Sequence, residues 1–182
     1  MNKHLALLKG INVGGHNKIK MAELREALTK AGLKNVITYI QSGNILFKSD
    51  KDSPALETSI HEVIRKQFGH DIPVLVLEEK ELRKAIENAP FVPQDESEQS
   101  KYILSFLSRK PSSEELDTVK DISYEPDQWK IIDRTLYLYC PNGYGRTKFS
   151  APMFERRLNV FMTARNWKSS HKFVELMKEL PE

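Results

Sequence analysis

A chain of 182 residues, 40% hydrophobic and 29% charged, is long enough to bury a core and excludes a disordered polypeptide. No apolar run approaches the ~20 residues that span a bilayer, and the start is too short in apolar residues for a secretory signal. The single cysteine, Cys140, excludes an internal disulfide, so a cytoplasmic protein without membrane association is expected. Net charge is only +3, but the stretch 144–172 carries Arg146, Lys148, Arg156, Arg157, Arg165, Lys168 and Lys172 against Glu155 alone. That asymmetry raises the odds of a phosphate- or carboxylate-bearing partner, with solvated helix faces as the bland alternative for each single lysine.

Lys3 to Ile11 reads as a strand that runs into a glycine-rich loop, Gly10 to Asn17. Met21, Leu24, Leu28 and Ala31 recur at helical spacing, with Gly32 placed to end the helix. Val36–Gln41 and Ile45–Phe47 flank Ser42-Gly43-Asn44, a hairpin signal. Ser53-Pro54 caps a helix whose stripe is Leu56, Ile60, Val63, Ile64 and Phe68, closed by Gly69. Pro73 to Leu77 is a fourth strand, completing β-α-β-β-α-β, and Glu79 to Ala89 is a connecting helix.

The pattern then restarts. Lys101–Leu107 is a strand, and Ser112 with Glu115 makes a capping box before Leu116, Val119 and Ile122. Trp129–Ile132 and Thr135–Cys140 flank Asp133-Arg134 as a second hairpin. A helix over 152–158 and a last one presenting Phe173, Val174, Met177 and Leu180 finish the chain, with no fourth strand evident in this half. The expected fold is α+β, two ferredoxin-like halves with mainly antiparallel sheets. Residues 1–90 form the first, with its connecting helix, 91–100 a polar linker, and 101–182 the second.

The run Leu7-Leu8-Lys9-Gly10-Ile11-Asn12-Val13-Gly14-Gly15-His16-Asn17-Lys18-Ile19-Lys20-Met21, with Thr38-Tyr39-Ile40-Gln41-Ser42-Gly43-Asn44, resembles an uncharacterised bacterial family, domain of unknown function family 1697. Asn88-Ala89-Pro90-Phe91, the 141–148 stretch and Thr163-Ala164-Arg165-Asn166-Trp167 resemble it too. Ala164 departs from that pattern, where a second threonine or another small polar residue is expected. The resemblance implies two ferredoxin-like halves and brings no activity with it.

Gly10 and Gly15 have the spacing of a phosphate-binding P-loop, but His16-Asn17 stands where Lys-Ser/Thr is required, and the dinucleotide glycine spacing also fails. What survives is a backbone nest at Gly14 and Gly15 with Lys18 and Lys20 nearby; the bland alternative is a tight turn that needs glycine for its geometry. Ferredoxin-like topology puts this loop on one rim with Gln41, Ser42, Gly43 and Asn44. Arg146 is placed to clamp an anion bidentately with Lys148 adding charge, and Arg165-Asn166-Trp167 supplies a further wall if the halves pack head to tail. For Trp167, a core position competes with stacking on a base. The expected ligand-binding set is Gly14, Gly15, Lys18, Lys20, Ser42, Asn44, Arg146, Lys148, Arg165 and Asn166, around a small anionic ligand held between the halves.

Catalysis has little support. The five histidines are scattered without zinc spacing, so neither a metal nor another cofactor is expected. Asp50 and Asp52 suit a helix cap, and Cys140 ends an apolar strand as a buried hydrophobe would. A binding protein is favoured over an enzyme; only a nucleophile–base pair assembled through space would alter that. RNA binding is the alternative, with Thr135, Tyr137 and Tyr139 alternating onto an open sheet face. A partner-binding scaffold without ligand is a third reading, which an exposed apolar patch would favour.

Overall fold

The computed structural model describes residues 1–181. By internal contacts the chain divides into two compact units, Met1–Arg83 together with the chain from Lys172 onward, and Lys84–His171. Residues 91–100, expected as a linker, therefore lie inside the second unit, where Glu96–Lys101 forms a 3-10 turn capped by Asp95.

In the first unit β1 (Asn2–Leu8), α1 (Met21–Lys30), β2 (Lys34–Tyr39), β3 (Asn44–Ser49), α2 (Ser53–Phe68) and β4 (Val74–Glu78) follow the expected order. The sheet is antiparallel with strand order β2-β3-β1-β4, the arrangement of a split β-α-β. Because side chains alternate along a strand, Ala6, Leu8, Ile45, Phe47, Val74 and Val76 share one face. They pack with Met21, Leu24 and Leu28 of α1 and with Leu56, Ile60 and Ile64 of α2. Leu5, Leu7, Leu46, Leu75 and Leu77 take the other face and are equally buried. The end of the chain covers part of that second face: the Phe173 ring lies edge-on to Tyr39 at 5.9 Å, and Lys48 Nζ donates to the Pro181 carbonyl at 2.8 Å.

The cap of α2 is Asp52 and not Ser53: its carboxylate accepts from Ala55 N at 3.0 Å, which places Pro54 inside the first turn. Gly69 ends the helix in the left-handed conformation, as its position after Phe68 implies.

α3 (Glu79–Glu87) passes from the first unit into the second. There β5 (Tyr102–Leu107), α4 (Ser113–Asp117), β6 (Gln128–Ile132), β7 (Thr135–Tyr139), α5 (Ala151–Leu158) and β8 (Met162–Asn166) repeat the topology. The antiparallel strand order is β6-β7-β5-β8. The fourth strand that the sequence hid is β8. The capping box forms as expected, Ser112 Oγ accepting from Glu115 N while Glu115 accepts from Ser112 N. Ile103, Leu107, Leu136, Leu138, Cys140, Phe154 and Met162 form the core on the helix side of this sheet. α6 (Trp167–Glu179) then returns the chain to the first unit. Among the described residues, no helix is long and apolar enough to cross a membrane.

Candidate functional site

The loop between β1 and α1 is built by side-chain amides. Gly10, Asn12, Gly14, Gly15 and Asn17 all have positive φ, between 47° and 80°, where glycine and asparagine pay least. Val13 and His16 pair across Gly14-Gly15, with His16 N donating to Val13 O at 3.0 Å. Two successive left-handed residues make a hairpin turn of the primed type.

Asn12 is the hub. Its Nδ2 donates to Ile19 O at 3.0 Å and to Gln41 O at 2.8 Å, and its Oδ1 accepts from Ile19 N at 2.9 Å. Asn17 Nδ2 reaches back to Gly10 O at 3.0 Å. A second tie joins Leu8 N to Gly43 O at 2.8 Å. The turn is pressed so closely onto β1 that a Cβ on Gly43 would stand 2.6 Å from Leu8 Cβ and 2.8 Å from Ile11 Cδ1. The glycine loop and the β2–β3 turn therefore form one rim, which also takes in the loop before β4: Lys9 N donates to Pro73 O, and His70 Nε2 meets Lys18 O at 3.3 Å.

The candidate residues separate into two groups. Asn44 is fully buried, and its amide donates to Tyr39 O and Ser42 Oγ, both at 3.0 Å; it closes the hairpin from within. Asn166 caps α6, its Oδ1 accepting from Ser169 N at 2.8 Å. Arg165 lies on β8 with its guanidinium donating to Thr163 Oγ1 and Ala164 O, and desolvation pulls it down to about 10. Lys20 pairs with Glu23 at 3.0 Å. In the other group, Gly14, Gly15 and Lys18 are exposed on the first unit's rim, and Arg146 and Lys148 are exposed in the second unit. Among the described residues, no hydrogen bond or ion pair engages the side chains of Lys18, Arg146 or Lys148, as is also true of Lys34, Lys130 and Lys168, while eleven other Lys and Arg side chains, such as Lys30, Lys84 and Arg109, are paired with carboxylates.

The loop that carries Arg146 and Lys148 is organised differently. Gly143 N donates to Cys140 O and Arg146 N to Gly143 O, forming a 3-10 turn over Tyr144–Arg146. Thr147 Oγ1 donates to Asp127 Oδ2 at 2.6 Å and accepts from Phe149 N at 3.1 Å. Cys140 is buried beneath, its thiol pushed up by desolvation.

The tyrosine face of the second sheet is not open. Tyr137 retains 3% of its exposure, and its hydroxyl donates to Ala85 O at 2.7 Å, with burial pushing it up to about 12. Tyr139 stacks obliquely on buried Tyr102 at 4.8 Å. Stacking bases on these rings would need this face uncovered, which removes the support for the RNA reading. Trp167 is buried too, its ring near Tyr102 and His171, so its core role prevails.

Asn12, Asn17 and His70 are the rim residues that sequence reasoning passed over. The asparagines left a signal, one on each side of a glycine pair, where a left-handed backbone favours asparagine.

Fold and site together define an α+β protein of two ferredoxin-like units, with a glycine–asparagine rim on the first. Residues 1–137 match the model of a family described as protein of unknown function (DUF1697), and the chain belongs to that family. The chain is similar in fold to the conserved bacterial protein SP0830 from Streptococcus pneumoniae, with a TM-score of 0.74 over 97% of this chain and 98% of that one at 23% identity. No curated protein matches. The 141–148 and 163–167 stretches lie beyond the residues that the family model matches.

Proposed function

We propose that the protein binds a small anionic ligand, phosphate- or carboxylate-bearing, with the rim of the first unit as its principal contact. The observation that carries this reading is Lys18. Among the described residues it is an exposed ammonium without a carboxylate partner, on a loop whose shape is fixed by Asn12 and whose Gly14 and Gly15 amides make no hydrogen bond. A cation and free amides on a fixed loop bind an anion with little ordering cost. Arg146 and Lys148 are a second unpaired cationic set, and Arg146 has the planar fork that suits a carboxylate or phosphate.

Asn44, Arg165 and Asn166 drop out of the proposed contact set because their polar groups already serve the fold, and Lys20 because its ammonium is paired with Glu23. Ser42 stays at its margin, half-buried in the turn and accepting from Asn44.

Thermal unfolding with inorganic phosphate, citrate and a nucleoside monophosphate tests the reading, since a ligand bound only by the native state raises the midpoint. Lys18→Ala is expected to abolish the shift. The double variant Arg146→Ala/Lys148→Ala reports independently on the second set. A shift that survives all three substitutions, or none in the wild type, contradicts the proposal.

A further inference from the structure

One residue on the rim contradicts local preference. Ile40 opens the β2–β3 turn at φ +50° and is 51% exposed. A β-branched residue in the left-handed region is strained, at a position where asparagine or glycine would turn the chain at lower cost. Its exposure means that burial does not compensate the strain. The backbone around it is pinned from both sides, by Asn12 Nδ2 on Gln41 O and by Asn44 Nδ2 on Tyr39 O, so the turn imposes this conformation on whatever residue stands there.

Val13 is the second exposed aliphatic of the same rim, at 65%. It belongs to the Gly14-Gly15 turn, and the bond between Asn12 and Gln41 joins the residue before Val13 to the residue after Ile40. A single exposed aliphatic needs no explanation. Two on loops that are hydrogen-bonded together, one of them held against its conformational preference, are a pattern that solubility would remove. Val13 lies on the loop that carries Lys18 and the glycine amides, and Ile40 on the turn bonded to that loop.

Resting on the anion-binding reading above, we propose that the ligand of this rim is an amphiphilic anion. Lys18 and the Gly14 and Gly15 amides meet its phosphate or carboxylate, and Val13 and Ile40 cover an adjoining hydrocarbon portion. A bare inorganic anion would use only half of the surface. The same chemistry is offered by a free alkyl or acyl phosphate and by the headgroup region of an anionic lipid.

Titration calorimetry of the full chain with inorganic, methyl, butyl and hexyl phosphate tests this. Affinity is expected to rise along the series by about two- to fourfold per methylene that becomes covered. The variant Val13→Ser/Ile40→Asn is expected to bind inorganic phosphate like the wild type and to lose the chain-length dependence. Asparagine tolerates the left-handed turn, so this variant folds at least as well. Wild type that binds inorganic and hexyl phosphate equally, or a double variant that keeps the dependence, overturns the amphiphile and leaves anion binding standing. No binding by any phosphate, or binding that Lys18→Ala leaves unchanged, overturns both. Sedimentation with phosphatidylcholine vesicles with and without phosphatidate assigns the source: retention on phosphatidate vesicles marks the lipid, and response to soluble alkyl phosphates alone marks the free ligand.

Discussion

The two glycine-bearing loops reach a fixed shape by different means. The 9–20 loop relies on asparagine side chains that substitute for a backbone ladder, and the Lys18 ammonium takes no part in that network. The 140–149 loop relies on a 3-10 turn and on Thr147, which links Asp127 to the backbone of Phe149. In the first loop the fixing groups are neutral carboxamides, Asn12 satisfying three backbone groups and Asn17 one. In the second, a half-buried hydroxyl–carboxylate bond carries the load. The lesson is that a loop can combine left-handed geometry, rigidity and an unpaired cation when asparagine supplies its hydrogen bonds.

The difference can be broken at several points. Gly43→Ala should have the largest effect, because the added methyl meets Leu8 and Ile11 while the backbone stays at φ 75°. A loss of about 3 kcal/mol or more is expected in chemical denaturation. Asn12→Ala should follow, at about 2–3 kcal/mol, since it strips two backbone carbonyls and one amide of their partner. It should also weaken any anion response. Thr147→Val in the other loop should cost about 1 kcal/mol, since it removes two bonds where Asn12→Ala removes three. Ile40→Asn should do the reverse and stabilise by about 1 kcal/mol through relief of strain.

Acid should separate the units as well. His4 is fully buried in β1, stacked on Phe47 at 5.6 Å, with both ring nitrogens lacking a hydrogen bond. Burial lowers its proton affinity, only partly offset by the Ser49 main chain, Glu78 and Glu81. The unfolded chain therefore binds the proton more readily than the folded one. Stability should decline as pH falls through the ordinary histidine value of about 6.5 and flatten only below the lowered native value. His4→Phe should remove that slope from a pH series of denaturation midpoints. In the second unit, Glu115 is held at about 2 by Arg109 and by the Ser112 amide. Its contribution is present above the ordinary carboxylate value and is lost only as pH falls from there toward 2.

Most of the fold was legible because the elements with strong periodicity or caps declared themselves: the α2 stripe, the Ser112–Glu115 box and both hairpins. β8 did not. It is an edge strand whose five residues, Met162-Thr163-Ala164-Arg165-Asn166, offer only two apolar side chains to the helix side, Met162 and Ala164, with Arg165 and Asn166 closing it. Its arginine and asparagine read as ligand groups because sequence shows their chemistry and not their engagement. Asn44 misled in the same way, since a polar residue in a turn looks exposed until its burial is seen. The apolar Leu5-Ala6-Leu7-Leu8 run carried a signal that was left unused: without alternation, both faces of β1 had to be covered.

The amide spectrum of the isotopically labelled protein, titrated with inorganic phosphate, addresses the central claim at single-residue resolution. Saturable shifts centred on Gly14, Gly15 and Lys18, absent in Lys18→Ala, are the predicted result. Shifts spread evenly over surface lysines without saturation, or none on the 9–20 loop, would contradict it.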